Sequence, residues 1–154
     1  MLLRAYDDSD ADATLGVFLR AVRVTARADY TPEQIAAWAS DDIPIDVWAA
    51  KRLLVDTVVA VEGDEVLGFS DVDERGYIDM MFVDPAVTRR GVATALLGRV
   101  TEIAREQGAD ELTTYASLTA RPFFEKHGFV VVEEREPVLR GISLTNFSMR
   151  RALV

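Results

Sequence analysis

YIDMMFVDPAVTRRGVATALL, running from Tyr77 to Leu97, joins an apolar strand to an amphipathic helix through an arginine-rich loop that ends in Gly-x-Ala. A helix start of this kind is an anion site, because its first N–H groups have no partner within the helix and point along the axis. The helix dipole adds roughly 0.3 to 1 kcal/mol for a nearby negative charge. Gly91 and Ala93 carry minimal side chains, so a diphosphate can approach the backbone, and Arg89 and Arg90 supply formal charge beside it. A Walker loop would need Gly-Lys-Ser/Thr here, and a dinucleotide fingerprint a third glycine and a tighter turn. Neither is present. Small residues could equally serve only to let the helix lie close to a sheet.

Working outward, Leu2 to Tyr6 reads as a short strand and Ala13 to Ala26 as a helix with Leu15, Phe18, Leu19 and Val22 at helical spacing. Thr31-Pro32-Glu33-Gln34 has a capping hydroxyl, proline at the first helical position and glutamine at the capping-box position. A further helix is expected over Asp46 to Leu54. β-Branched residues then define strands at Val58 to Val61 and Val66 to Asp71, split by Gly63-Asp64, and Tyr77 to Val83 reads as the third strand of this meander. The helix from Gly91 to about Gln107 stops at Gly108. Leu112 to Ala116 (strand), Thr119 to Lys126 (helix), Phe129 to Val132 (strand) and Leu144 to Met149 (strand) complete the order. The sum is a mixed sheet with helices packed on it, an α/β (α+β) class.

The length of 154 residues fits one domain, expected to span 1–154. Hydrophobic residues at 49% and charged residues at 28% allow a real core. The absence of cysteine excludes a disulfide framework, a thiolate metal site and a cysteine nucleophile, and no metal is expected. The opening MLLRAYDDSD turns acidic too soon for a secretory segment, and no apolar run approaches the about 18 residues of a membrane span, so a cytoplasmic location is expected. A net charge of −9, from 17 Lys plus Arg against 26 Asp plus Glu, repels phosphate backbones and anionic lipid, so neither nucleic acid nor membrane is an expected partner.

The segment resembles motif A of the GNAT (GCN5-related) N-acetyltransferase superfamily, in which a strand ending in V-x-P leads to Q/R-x-x-G-x-G/A. Val83-Asp84-Pro85 and Thr88-Arg89-Arg90-Gly91-Val92-Ala93 match it, with Thr88 in place of the usual Gln or Arg. Ala116-Ser117 and Arg121-Pro122-Phe123-Phe124-Glu125-Lys126-His127-Gly128-Phe129 resemble motif B. Matches at Arg20 to Ala26, at YTPEQIAAWA from Tyr30 and at Arg140 to Met149 look like the YafP-like branch, so the resemblance covers nearly the whole chain. It implies a mostly antiparallel central sheet flanked by helices and acetyl transfer from acetyl-CoA to a primary amine. A small-molecule acceptor is expected. Dimers are common in the family, so a homodimer is one expected assembly.

By this resemblance Met81, Phe82 and Val83 present backbone groups to the pantetheine arm, and Arg89, Arg90, Gly91, Val92, Ala93 and Thr94 hold the pyrophosphate. An alkyl ammonium has a pKa near 10.4, so freeing the amine at pH 7 costs roughly 4 to 5 kcal/mol and calls for a base. Asp79, an acid in an apolar strand, is the candidate, against the alternative of an acid on a solvated face. Phe124 stands where many relatives carry a tyrosine acid. Tyr115 is a substitute or a filler of the sheet, and the alternative to an enzyme is an acetyl-CoA-binding sensor without turnover. Ser117 sits where a cofactor-contacting Asn is common, or else caps the next helix. His127 beside Gly128 reads as a cation at a helix C-terminus. Tyr30, Trp38 and Trp48 are acceptor-pocket candidates or core aromatics.

Overall fold

A computed structural model describes residues 1–153. Three helices follow the first strand, β1 (Leu2–Ala5): α1 (Ala11–Arg20), α2 (Pro32–Trp38) and α3 (Ile45–Leu53). The capping box of α2 forms as its sequence requires: the Gln34 amide donates to the Thr31 hydroxyl at 3.2 Å and the Thr31 amide to the Gln34 side chain at 2.9 Å. The helix expected to run to Ala26 is regular only to Arg20 and widens into a π-turn over Ala21–Thr25. The extra residue keeps Val22 and Ala26 buried and sends Arg23 to the Ala39 carbonyl and Asp41.

β2 (Asp56–Glu62), β3 (Glu65–Val72) and β5 (Met81–Val83) join β1 in an antiparallel sheet of order β1-β2-β3-β5. A second sheet of order β4-β6-β10-β7 contains β4 (Tyr77–Ile78), β6 (Glu111–Ser117), β10 (Asn146–Ala152) and β7 (Val130–Arg135). Among the described residues only β4 and β6 pair in parallel. A helix, α4 (Val92–Glu106), leads into β6, and α5 (Arg121–Lys126) into β7. The fold is therefore the mixed, mostly antiparallel sheet with flanking helices that the motifs imply. The hairpin of β8 (Val138–Leu139) and β9 (Ile142–Ser143) has no counterpart in the sequence reading, since strands of two residues leave no period to detect.

The third meander strand needs correction. Tyr77 and Ile78 pair with Thr113 and Thr114, whereas Met81, Phe82 and Val83 pair with Ser70, Phe69 and Gly68. One stretch of chain thus passes from the second sheet to the first, changing partners at Asp79 and Met80.

Alternation along β2 divides the core. Val58 and Ala60 pack with α4, while Val59 and Val61 pack with α1 and α3 around Phe18, Trp48 and Phe69. Each fully buried side chain of this size contributes about 1.5 to 3 kcal/mol. α4 turns Val92, Leu96, Leu97, Val100 and Ala104 to the sheet, and what lets it approach is Gly68. A Cβ there would lie 3.2 Å from Val92, 3.3 Å from Leu96 and 2.8 Å from the Phe82 carbonyl. Among the described residues no helix is long and apolar enough to cross a membrane.

Two glycine substitutions should separate packing from propensity. Gly68→Ala is expected to lower the unfolding free energy in urea by about 1 to 3 kcal/mol, because the added methyl meets backbone that cannot yield. Gly98→Ala, in the interior of α4 with nothing within 4 Å of the new methyl, should raise it by about 0.5 to 1 kcal/mol.

Candidate active site

Where the chain changes sheets, β5 and β6 part. β5 pairs with β3 on one side only, and the end of β6 pairs with β10, so the facing backbone edges of Met81–Val83 and of Tyr115 to Ser117 have no strand between them. A cavity of about 620 Å³ opens at this parting. Asp79, Met81, Phe82, Tyr115, Ser117, Phe124, Tyr30, Trp38 and Trp48 all line it, which brings nine of the flagged residues into one space.

The crossing is held by a carboxylate that the sequence reading missed. Oδ1 of Asp71 accepts the amides of Asp79 at 2.8 Å and Met80 at 3.0 Å, and the Asp71 amide donates to the Met80 carbonyl at 3.2 Å. The Ser70 hydroxyl donates to the same carbonyl at 2.7 Å. Backbone groups that would have continued a ladder are thus satisfied by side chains, which is why the strand can leave one sheet for the other. Burial pushes the Asp71 carboxyl up to about 6, against the lowering effect of the Met80 and Asp79 amides. The signal was present in the sequence as an acid among the buried residues of β3, and only the fold shows what it binds.

Asp79 itself is exposed to the cleft, and its Oδ1 accepts the Tyr77 hydroxyl at 3.1 Å. Burial, and then the Asp79 charge, raise the Tyr77 phenol well above its ordinary range, so it stays a donor. Tyr115 is half exposed, with its ring edge-on to Tyr77 at 5.7 Å and the Arg135 guanidinium 4.0 Å above it. Phe124 is buried against Phe123 and Phe129.

Beyond β5 the loop is fastened by Asp84, whose Oδ2 pairs with Arg20 at 2.7 Å and whose Oδ1 accepts the Ala86 amide at 3.0 Å. Arg89 and Gly91 both take left-handed backbone, with φ of 66° and 79°. Gly91 is the N-cap of α4, with no side-chain cap bond, and a Cβ on it would meet nothing within 4 Å. Close packing on the sheet is therefore the work of Gly68, and Gly91 is required by its φ and leaves the helix start open. Arg90 pairs with Glu62 at 2.8 Å, an exposed contact worth little. Val92 turns its side chain into the core, so only its amide is available at this end. Thr94 and Ala93 follow on the first turn, and the Thr94 hydroxyl lies 3.4 Å from Nε2 of His127. Nδ1 of His127 lies 2.9 Å from the Phe123 carbonyl, which can only accept, so Nδ1 is the donor of that pair.

Two flagged polar groups are committed elsewhere. The Tyr30 hydroxyl donates to the Thr145 carbonyl at 2.6 Å and accepts the Leu118 amide at 2.9 Å, leaving only its ring to the cavity. Ser117 accepts the Ala120 amide at 3.0 Å in the turn ahead of α5, whose own N-cap, Ala120, has no side-chain cap bond. Trp38 is half buried, edge-on to Tyr30 and Phe82, and Trp48 is buried with its Nε1 donating to Thr14 at 3.0 Å.

A family model described as an acetyltransferase (GNAT) domain matches residues 26–151. The chain is 42% identical over 148 residues to the uncharacterized N-acetyltransferase YafP of Escherichia coli K12, covering 96% of this chain and 93% of that one. Among solved structures, a Rhodopseudomonas palustris protein described as a GCN5-related N-acetyltransferase and class-II aminotransferase superposes with a TM-score of 0.95 at 32% identity, over 99% of this chain and 95% of that one. The PaiA N-acetyltransferase of Thermoplasma acidophilum, solved with coenzyme A, superposes with a TM-score of 0.83 at 16% identity over 99% and 98% of the two chains.

The buried carboxyl gives this site a pH signature. Unfolded, Asp71 ionises near its ordinary 3.8, and folded only near 6, so between these values the unfolded chain loses its proton first and stability falls as pH rises. The change is expected to total about 3 kcal/mol at most. Asp71→Asn keeps an oxygen for both amides and cannot ionise, so urea unfolding of the variant should lack this decline between pH 4 and 6.

Proposed function

The chain belongs to the GNAT acetyltransferases, and from that footing we propose that it moves the acetyl group of acetyl-CoA onto a primary amine of a small molecule, in the cytoplasm, by direct attack. The observation that carries this reading is the parting of β5 from β6 beside the open start of α4. Free peptide edges suit an amide-containing arm, and uncapped amides with two arginines suit a diphosphate. The left-handed Gly91, open on its Cβ side, fits such a group without displacement of any side chain. Coenzyme A bound to the Thermoplasma neighbour, whose fold this chain shares, supports the same assignment.

Acetyl-CoA would supply a thioester whose carbonyl carbon the amine attacks, a C–N bond forming as the C–S bond breaks. Met81, Phe82 and Val83 would orient the arm through backbone, and Arg89 to Thr94 would hold its phosphates. Asp79, open to the cavity, would take the ammonium proton, directly or through water, while the Tyr77 hydroxyl fixes the position of its carboxylate. Tyr115 would return a proton to the departing sulfur. A thiol pKa near 8.5 makes that help modest. The buried Phe124 keeps the sensor reading in view, since it offers no proton, and Tyr77 and Tyr115 on the cavity wall favour turnover.

Release of CoA with a panel of amines tests the reaction, and two variants test the parts. Gly91→Glu should abolish acetyl-CoA binding in calorimetry, whereas Gly91→Ala, which carries the same backbone strain of about 1 to 2 kcal/mol without the charge, should retain it. Asp79→Asn, still able to accept from Tyr77, should lower kcat by about 100-fold or more with acetyl-CoA affinity nearly unchanged. A wild-type rate would place the base elsewhere.

A further inference from the structure

The charged side chains that line the cavity are Lys51, Arg52, Arg140 and Asp79, three cations and one carboxylate in a chain whose net charge is −9. Arg89 and Arg90, the arginines assigned to the phosphates, are not among them. The cavity thus carries positive charge of its own, opposite in sign to the chain as a whole.

Arg52 is the unusual member. Only 3% of it is exposed, its guanidinium lies 4.2 Å over the Trp48 ring, and its Nε and Nη1 are buried without a hydrogen-bond partner. Asp71 and Asp79 act on it through space, yet neither forms an ion pair with it among the described residues, and Oδ1 of Asp71 is already spent on two amides. A buried charged donor left without an acceptor costs about 1 to 3 kcal/mol or more, so a cavity wall that keeps one is suited to an oxyanion from outside. The same cavity holds a second unspent buried atom, Oδ1 of Asn146, which can accept an N–H.

We propose that the acceptor is an amine that also carries an oxyanion of carboxylate or phosphate type, bound by Arg52 with Lys51 and Arg140 at the cavity mouth, while its amino group faces Asp79. This rests on the acetyltransferase reading and narrows its substrate class.

The test compares amines of matched chain length, from two to six carbons: alkylamines, ω-amino acids, aminoalkylphosphonates and diamines. CoA release gives kcat/KM for each, and calorimetry on the CoA-loaded protein gives affinity independently of turnover. An anionic amine should exceed its alkylamine and diamine counterparts by about tenfold or more, the scale of one charge-assisted hydrogen bond. The carboxylate and phosphonate arms decide which oxyanion is preferred. Arg52→Met should collapse that preference to near unity, and Arg52→Lys should retain part of it. A merely structural Arg52 would depress all amines together and leave the ratio intact, which would overturn the proposal, as would a preference for diamines or plain alkylamines. Arg140→Ala, at an exposed position, provides the same ratio test should the Arg52 variants fail to fold. Turnover with no amine would count against the acetyltransferase reading, and the calorimetric ranking would still decide whether anionic amines bind best.

Discussion

Two hydrogen bonds from the amides of Asp79 and Met80 to the carboxylate of Asp71 are the constraint on which the site depends. Backbone amides inside a sheet must be paired, and the cheapest pairing is a neighbouring strand. By taking both amides, Asp71 frees the chain to leave β6 after Ile78 and join β3 at Met81. The cleft between the sheets is the consequence, and its walls are already lined with the residues that end each strand. A buried carboxylate is an expensive way to pin a backbone, and its cost is visible in a carboxyl held at about 6.

In the proposed mechanism, anchoring and chemistry are divided between two neighbouring carboxylates. Asp71 is turned inward and spent on structure, and Asp79 is turned outward beside Tyr77 with a carboxylate open to the cavity. On the far side Gly68 and Gly91 divide another pair of duties. Gly68 lets α4 sit against the sheet, which fixes where its N-terminus points, and Gly91 supplies the left-handed turn that leaves that terminus uncovered.

Net charge proved a poor guide to the cavity. Twenty-six acids spread over the surface say nothing about the few groups that face one space, and Arg52 reaches it only because α3 buries its side chain over Trp48. Groups that face the cavity act on its occupant more strongly than solvated surface carboxylates, which water and salt screen.

The sequence by itself determined most of the element order, the α2 capping box, the apolar face of α4 and the glycine at its start, because each is written in residues a few positions apart. Family membership was legible for the same reason, the motifs being contiguous. What only the tertiary structure decided was how distant segments spend their polar groups. Tyr30 and Ser117 both line the cavity, yet only the fold shows that the Tyr30 hydroxyl is spent on Thr145 and Leu118 and that the Ser117 hydroxyl accepts the Ala120 amide. The division of Tyr77 to Val83 between two sheets was invisible because its cause, Asp71, lies on another strand, and strand pairing is a choice among partners that no local period records.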